Sequence, residues 1–439
     1  MSMLKYNPEG EYLKKPGSVT ALIALFVYFS NGAFPRNHIS AGVRVILLVG
    51  LCIALFFIKG NNKIRLNAAH FVLLCAVIVM QGITILFHGI SFEFDAFLAL
   101  AIVAAFLYVS LIPFSDFIKS YRAVIFIIAS ISLVFYLLGL IIPNYVDYVP
   151  GFLLQETSVD NALTLLGTFV VRNKGQHTYY RNFGIFTEPG QYQIFLCIGL
   201  AIELWCVNKP NWKILAVILL AILTCESTNG YIVTVFLLGS YAMENKSAIF
   251  AVCRKYPKQL IIGASVVIFL IVLLGWNTIV SVFDKIIGLF TAESGTGFQR
   301  RRAFCTAIEI WLRHPLVGYG YSGMQAYVKS LSNTGFIMTC TPLNWFARFG
   351  TIYGFVVNSC FCAAFGMIPK SVGGRIMMIV SFLALISAQE TGAGLVTWIL
   401  IFYGCGKILG ALRGKYQSNN LNLELVIEPM KLFKKNEKR

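Results

Sequence analysis

Apolar stretches of about 17–20 residues recur along the whole chain, each long enough as a helix to cross roughly 30 Å of hydrocarbon. They fall at 18–34, 41–58, 68–87, 96–113, 123–142, 189–206, 213–226, 229–243, 259–276, 343–366, 376–391 and 394–411. Two of these regions, 213–243 and 376–411, read equally well as one broken pair of short helices each. A chain of 439 residues that is 57% hydrophobic and 13% charged is not a soluble globular protein. The expected fold is all-α: a polytopic integral membrane protein of about twelve transmembrane helices with two large extracytoplasmic loops, 143–188 and 277–342. Residues 1–412 form a single membrane domain in this reading, and 413–439 form a basic cytoplasmic tail. The first apolar run follows Lys14-Lys15-Pro16 without a small-residue cleavage site, so it reads as a first span.

The distribution of lysine and arginine sets the orientation. With the N-terminus inside, the inner segments carry 24 of the 36 such residues, and nine of the other twelve lie in the two long polar stretches. The short outer connections 88–95 and 226–229 carry none. Both termini are thus expected in the cytoplasm, and both polar stretches outside with Ser91–Asp95 and Gln389-Glu390-Thr391. The net charge of +17 sits mainly in inner loops and the tail, where it sets topology and attracts anionic membrane lipid. Nucleic acid is not an expected partner. The cysteines fall mostly inside spans (Cys52, Cys75, Cys197, Cys360, Cys405), where they behave as small apolar residues. No Cys/His spacing points to a metal, and only Cys305 and Cys340 are placed to meet outside as a disulfide.

Cations beside the mouths of apolar spans are costly and usually have an anionic partner. The first outer stretch carries Asp147, Glu156 and Asp160, then Arg172, Lys174, His177 and Arg181. It is too long for a simple connection, as binding segments commonly are. It closes on Asn182-Phe-Gly-Ile-Phe-Thr-Glu188-Pro189-Gly190-Gln-Tyr-Gln193 and runs directly into a span. Thr187 suits a helix N-cap and Pro189 a first turn, which puts Glu188 at the helix mouth. Two roles are open to that carboxylate: an ordinary partner of the helix dipole, or a general base at the membrane surface. Gln191 and Gln193 add polar groups in the same turn, and buried amides need partners.

In the second stretch, Gly297–Arg313 fits a helix. Ala303, Ala307, Ile310 and Trp311 fall together, as do Cys305, Ile308 and Leu312, leaving a polar stripe of Arg302, Thr306, Glu309 and Arg313. Glu309 and Arg313 form an i,i+4 pair in the favourable order, so Arg313 reads as structural. Arg300, Arg301 and Arg302 crowd the helix N-terminus, where the macrodipole opposes cations. Either they project into water or headgroups, or they bind an anion; three adjacent guanidinium forks suit a diphosphate. His314 before Pro315 reads first as a helix terminator. Asn344 and Arg348 are one turn apart and can face the same cavity, and an arginine at that depth needs a partner.

Taken in order, several motifs resemble the O-antigen polymerase and ligase superfamily of polytopic bacterial enzymes. They are Gly184-Ile-Phe-Thr-Glu-Pro-Gly190, Cys-Glu-Ser-Thr-Asn-Gly at 225–230, Arg302…Trp311…His314-Pro-Leu-Val-Gly-Tyr-Gly320, and Pro342-Leu-Asn344…Gly350…Gly354. The resemblance covers about residues 180–355. It implies joining of undecaprenyl-diphosphate-linked oligosaccharide units into O-antigen (lipopolysaccharide) or capsular polysaccharide at the outer face of the bacterial cytoplasmic membrane. It implies basic residues in both outer loops, no nucleotide sugar, no metal and no other cofactor, with a chain-length regulator and a flippase as partners. The ligase branch resembles His-Asn at the start of the span after the large loop, whereas this chain has Pro342-Leu343-Asn344, which favours the polymerase branch.

Such a reaction must stabilise a departing diphosphate and deprotonate one acceptor hydroxyl. The first role falls to Arg301 and Arg302 with Arg300, helped by Arg172 or Arg181. Glu188 is the expected base, with His177 and His314 as substitutes, and Asn344 and Arg348 are expected in substrate binding. The rival from another class is a flippase or other transporter, for which Gln81, Gln389 and Glu390 near span ends speak. No convincing internal repeat accompanies them.

Overall fold

The computed structural model describes residues 17–58, 64–89, 91–142, 145–156, 162–173, 181–247, 295–331, 338–416 and 424–427, together with 254, 265 and 336. The expected span 259–276 falls outside the described residues except at 265, as does most of the basic tail. Among the described residues the chain is mostly helical. In chain order the helices are α1 (Ser18–Asn31), α2 (Ala33–His38), α3 (Ala41–Ile58), α4 (Ala68–His88), α5 (Phe92–Leu111), α6 (Phe114–Ile141) and α7 (Pro189–Trp205). They continue as α8 (Trp212–Thr224), α9 (Thr228–Glu244), α10 (Gly295–Arg313), α11 (Gly320–Leu331), α12 (Thr341–Gly366), α13 (Val372–Ser387) and α14 (Leu395–Tyr416). Five are long and apolar enough to cross a membrane: α4, α5 from Phe94, α6, α12, and α14 as far as Leu412.

Several boundaries depart from the sequence expectation for physical reasons. The first span ends at Asn31 rather than 34, because Gly32 turns extended and its neighbours pair with another segment. Ala33 N–H donates to the Ile185 carbonyl at 2.8 Å, and Gly32 bridges Phe186. The end of the first outer stretch is thereby pinned to the α1–α2 break. Helix α6 begins at Phe114, so the expected inner connection 114–122 is its first turns instead. This carries Arg122 into the core, where it pairs with Glu203 of α7, both side chains buried. The α14 helix continues to Tyr416, past the expected tail boundary at 412.

A few short strands accompany the mostly helical body. Strands β1 (Ile64–Asn67) and β5 (Glu424–Ile427) pair antiparallel, while β2 (Leu154–Glu156), β3 (Ala162–Leu165) and β4 (Phe169–Asn173) form a three-stranded antiparallel sheet within the first outer stretch. The β3–β4 hairpin turns through Leu166 and Gly167, both at positive φ (51° and 64°), the geometry a tight hairpin demands. Its tip docks on the first helix, with the Tyr28 hydroxyl donating to the Gly167 carbonyl at 2.7 Å. Cys305 and Cys340 are free thiols, one exposed and one buried, so the disulfide expected as an option is not formed.

Two close approaches fix the position of α12. A Cβ on Gly404 of α14 would lie 1.7 Å from the Cys360 carbonyl oxygen, so only glycine lets these helices pack backbone to backbone. Nearer its start, α12 is interrupted at Gly350 (φ 84°, ψ 178°), a conformation open essentially to glycine alone. The helical bond from Thr351 N–H to the Ala347 carbonyl is replaced by two others. Thr351 donates to the Pro315 carbonyl at 2.7 Å, and Ala347 accepts from Tyr319 N–H at 2.8 Å. The His314–Gly320 turn is thus wedged into the helix ladder, which is one of the identifiable causes of a helix break. The short part of α12 before this break carries Asn344 and Arg348.

Ordered polar contacts collect at two ends of this helical body. One end joins the start of α7, the start of α12 and the α13–α14 connection. The other joins the start of α6, the end of α7, the α9–α13 contact between Glu244 and Ser371, and Lys407 on the Ala364 carbonyl.

Candidate functional site

The first end holds the candidate site, beginning with Glu188. Helix α7 starts at Pro189, so the N-cap position belongs to Glu188 rather than to Thr187 as expected, and no side chain caps the helix. The Glu188 carboxylate instead accepts a hydrogen bond from Gln389 Nε2 at 2.9 Å. The Thr187 hydroxyl donates to Gln191 Oε1 at 3.2 Å and accepts from Arg36 at 3.1 Å. Gln193 lies one turn deeper, fully buried against Gly230 of α9, with no protein partner for either amide atom among the described residues.

From the second polar stretch, Arg300 comes within electrostatic reach of Glu188. Burial pushes the Arg300 guanidinium below its ordinary value, Glu188 acts in the opposite sense, and Arg181 adds to the lowering. All three side chains therefore share one electrostatic neighbourhood, which joins the two stretches. Arg181 donates to the Cys225 and Glu226 carbonyls at 3.1 and 2.8 Å, holding the α8–α9 turn in which Glu226 takes a positive φ of 48°. Strain of this kind on a non-glycine residue persists only where the surroundings over-determine it.

Arg301 and Arg302 point along other directions of the same helix. Successive residues on a helix point about 100° apart, so three adjacent arginines diverge. Arg301 lies over the Phe298 ring at 5.8 Å, while Arg302 donates to the Leu331 carbonyl and lies over Phe336 at 4.6 Å. Of the three arginines expected to act together, Arg300 interacts with the first stretch and Arg302 engages Leu331 and Phe336. Arg313 pairs with Glu309 at 2.7 Å, as its spacing predicts. His314 packs its ring against Tyr319 and His88, with centroids 4.5 and 5.4 Å away. Arg172 contributes backbone to β4, its side chain lying outside the described residues, and so does the whole of His177.

Asn344 and Arg348 do face one place, and their partner is a carboxylate that sequence reasoning had not assigned to them. Arg348, 3% exposed at the side chain, pairs with Glu390, 28% exposed, through Nη2–Oε2 at 3.1 Å and Nη1–Oε1 at 3.4 Å. Asn344 Nδ2 donates to the same Glu390 oxygen and to the Met338 carbonyl. The guanidinium also lies over Phe94 and Tyr321, 4.8 and 5.1 Å from ring centroids that stack on one another at 3.8 Å. Asp95 is close enough to feel the Arg348 charge. Two atoms stay without a partner here, Arg348 Nε and Asn344 Oδ1. A legible signal for Glu390 was present: a carboxylate at the break between two apolar helices, in a chain whose deep arginine needed one.

Gln389 and Glu390 are neighbours that reach opposite ways, one to the mouth of α7 and the other to α12. Their connection is held firmly. Thr341 Oγ1 donates to the Gln389 carbonyl at 2.7 Å and accepts from Thr391 N–H at 2.8 Å, and Gly392 N–H donates to Glu390 at 3.0 Å. The site therefore offers two half-buried carboxylates, Glu188 and Glu390, among the buried guanidinium of Arg348 and the half-buried ones of Arg300 and Arg181, at the ends of apolar helices. Such an arrangement can hold an anion and accept a proton within one wall. No protein-family model matches this chain, and no curated protein matches it.

Proposed function

We propose that this chain is a membrane glycosyltransferase of the polysaccharide-polymerase kind. It joins undecaprenyl-diphosphate-linked oligosaccharide units into O-antigen or capsular polysaccharide at the outer face of a bacterial cytoplasmic membrane. The observation that carries the reading is the approach of Arg300 from the second outer stretch to Glu188 and Arg181 of the first, where apolar helices end. Cationic forks, a carboxylate and a hydrocarbon-facing flank are what a lipid-linked diphosphate donor and a hydroxyl acceptor require.

In this mechanism the acceptor hydroxyl oxygen bonds to the anomeric carbon of the donor glycan. The bond from that carbon to the diphosphate oxygen breaks, its electron pair leaving with the polyprenyl diphosphate, and the hydroxyl proton passes to Glu188. Arg300 and Arg181 stabilise the departing charge, a role whose loss typically costs about 10²–10³-fold in rate. Arg348 and Asn344 with the Phe94–Tyr321 stack form the neighbouring wall, where the sugar units are bound. The donor arrives activated, so neither nucleotide sugar nor metal enters the scheme.

A transporter is the second reading, and one observation favours it: α12 is discontinuous at Gly350, as substrate-binding helices of transporters often are. Here the freed backbone groups are taken up by the Pro315–Tyr319 turn rather than turned to a cavity, which favours the enzyme. The ligase alternative is disfavoured by Asn344 standing without a histidine beside it. Deleting the gene tests all three. Polymerase loss leaves single repeat units on the terminal acceptor with polymer missing; ligase loss leaves polymer on the lipid carrier. Accumulation of inward-facing lipid-linked units would identify a transporter.

A further inference from the structure

Gln389 lies in neither of the two long outer stretches, and nothing above gives it a part in the chemistry. Its amide nitrogen donates to Glu188 Oε2 at 2.9 Å, while its backbone carbonyl is held by Thr341 and the next residue is locked to Arg348 and Asn344. The amide is therefore anchored from behind by α12. On the near side it passes over Gly190, where an added Cβ would come within 2.6 Å of Gln389 Nε2. Gly190 sits in the first turn of α7, where alanine would suit the helix better than glycine does. Helix formation does not explain a glycine there, but the passage of the Gln389 side chain does.

We propose that Gln389 is a positioning residue for Glu188: its amide fixes the carboxylate's rotamer, and Gly190 keeps the path open. This inference rests on the reading of Glu188 as the proton acceptor in glycan transfer. Among the described residues, the charged groups around Glu188 include Arg300 from α10, Arg181 ahead of α7 and Arg36 of α2, which reaches the adjacent Thr187; Glu390, paired with Arg348, lies just beyond Gln389. Gln389→Met removes none of these groups. Without the amide the carboxylate is free to turn away from the acceptor hydroxyl, which slows proton transfer and leaves donor binding intact.

The test uses full-length protein in lipid vesicles with a polyprenyl-diphosphate-linked oligosaccharide, measuring kcat per folded protein and KM for polymer formation. Gln389→Met keeps length and removes the donor; Gly190→Ala keeps the helix and obstructs the amide. Both variants are expected to lose roughly tenfold in kcat, through a misplaced base, with KM within about twofold of wild type. A merely structural role would lower the amount of folded protein and leave kcat per folded protein where it was. An unchanged kcat per folded protein in both variants overturns the proposal. If Glu188→Gln keeps the wild-type kcat, the base assignment and this inference fall together while polymerisation stands. If wild-type protein forms no polymer, the proposed function itself is wrong.

Discussion

At the residue scale, the buried Arg348–Glu390 pair shows how a cation is kept where hydrocarbon begins. Charge, two guanidinium hydrogen bonds and two aromatic faces share the desolvation cost. Removing one partner of such a pair typically costs about 3–5 kcal/mol, because the other is left buried and unpaired. Glu390→Gln should therefore lower the unfolding temperature in detergent, and Arg348→Met with Glu390→Gln should recover much of that loss; a double-mutant cycle reads the coupling directly. Arg300→Ala is different in kind. Arg300 has no hydrogen bond to Glu188 to maintain the fold, so its loss should leave protein in the membrane and reduce polymer formation about 10²–10³-fold. Arg302→Ala should instead act through stability, since Arg302 ties α10 to the Leu331 carbonyl; a normal chain-length distribution from the surviving protein is expected. Sequence gave all three residues the same role, because neighbours in a run of arginines look alike until helix phase separates them.

At the element scale, the Gly350 break is the feature on which the site depends. The wedge of Pro315–Tyr319 into α12 needs glycine at both Gly350 and Gly318, whose φ values are 84° and 75°. A Cβ at Gly350 would lie 2.1 Å from the Leu316 carbonyl, and one at Gly318 2.3 Å from the Arg348 carbonyl group. Gly350→Ala should cost at least the roughly 1–3 kcal/mol of such backbone strain, measurable as a lower midpoint of thermal unfolding, and should expose the 314–320 turn to protease. Helix α10 meets α11 through Glu309, whose carboxyl is held below the usual carboxylate range by the Tyr327 hydroxyl first and Arg313 second. A depressed carboxylate contributes stability that is complete above its unfolded value and is lost as pH falls through its folded one. The α10–α11 contact should loosen as pH falls below the ordinary glutamate range, and Tyr327→Phe should weaken that acid dependence; amide hydrogen exchange across 320–331 would follow it. Most helices were legible from apolar runs, since length and composition alone decide them. The strands of the first outer stretch were not. They are short, and their register depends on docking against Tyr28, which lies far away in sequence. The α6 start was misplaced because Lys119 and Arg122 resembled a loop, whereas Arg122 is neutralised by Glu203 inside the core.

At the scale of the whole molecule, the separation of polar contacts into two ends is what a chain crossing a membrane needs. It also makes the orientation testable. In a cysteine-free background, Leu316→Cys beside the site and Lys370→Cys at the other end are both exposed positions. Impermeant thiol reagent on intact cells should label the first, and the second only after permeabilisation; the reverse pattern would put the site in the cytoplasm. Among the described residues the two polar stretches are linked through Arg300 with Glu188 and Arg181, and the 388–394 connection is a third member. In that connection Glu390 was legible as the carboxylate a deep arginine needs, whereas Gln389 gains meaning only when α7 is brought to it. The central claim is that this meeting point transfers glycan between lipid carriers. The most direct measurement is purified full-length protein in vesicles, supplied only with polyprenyl-diphosphate-linked oligosaccharide, with products resolved by chain length. The account predicts a ladder of multiples of the repeat unit and one polyprenyl diphosphate released per bond formed. Oligosaccharide that stays at unit length while moving across the bilayer would contradict it.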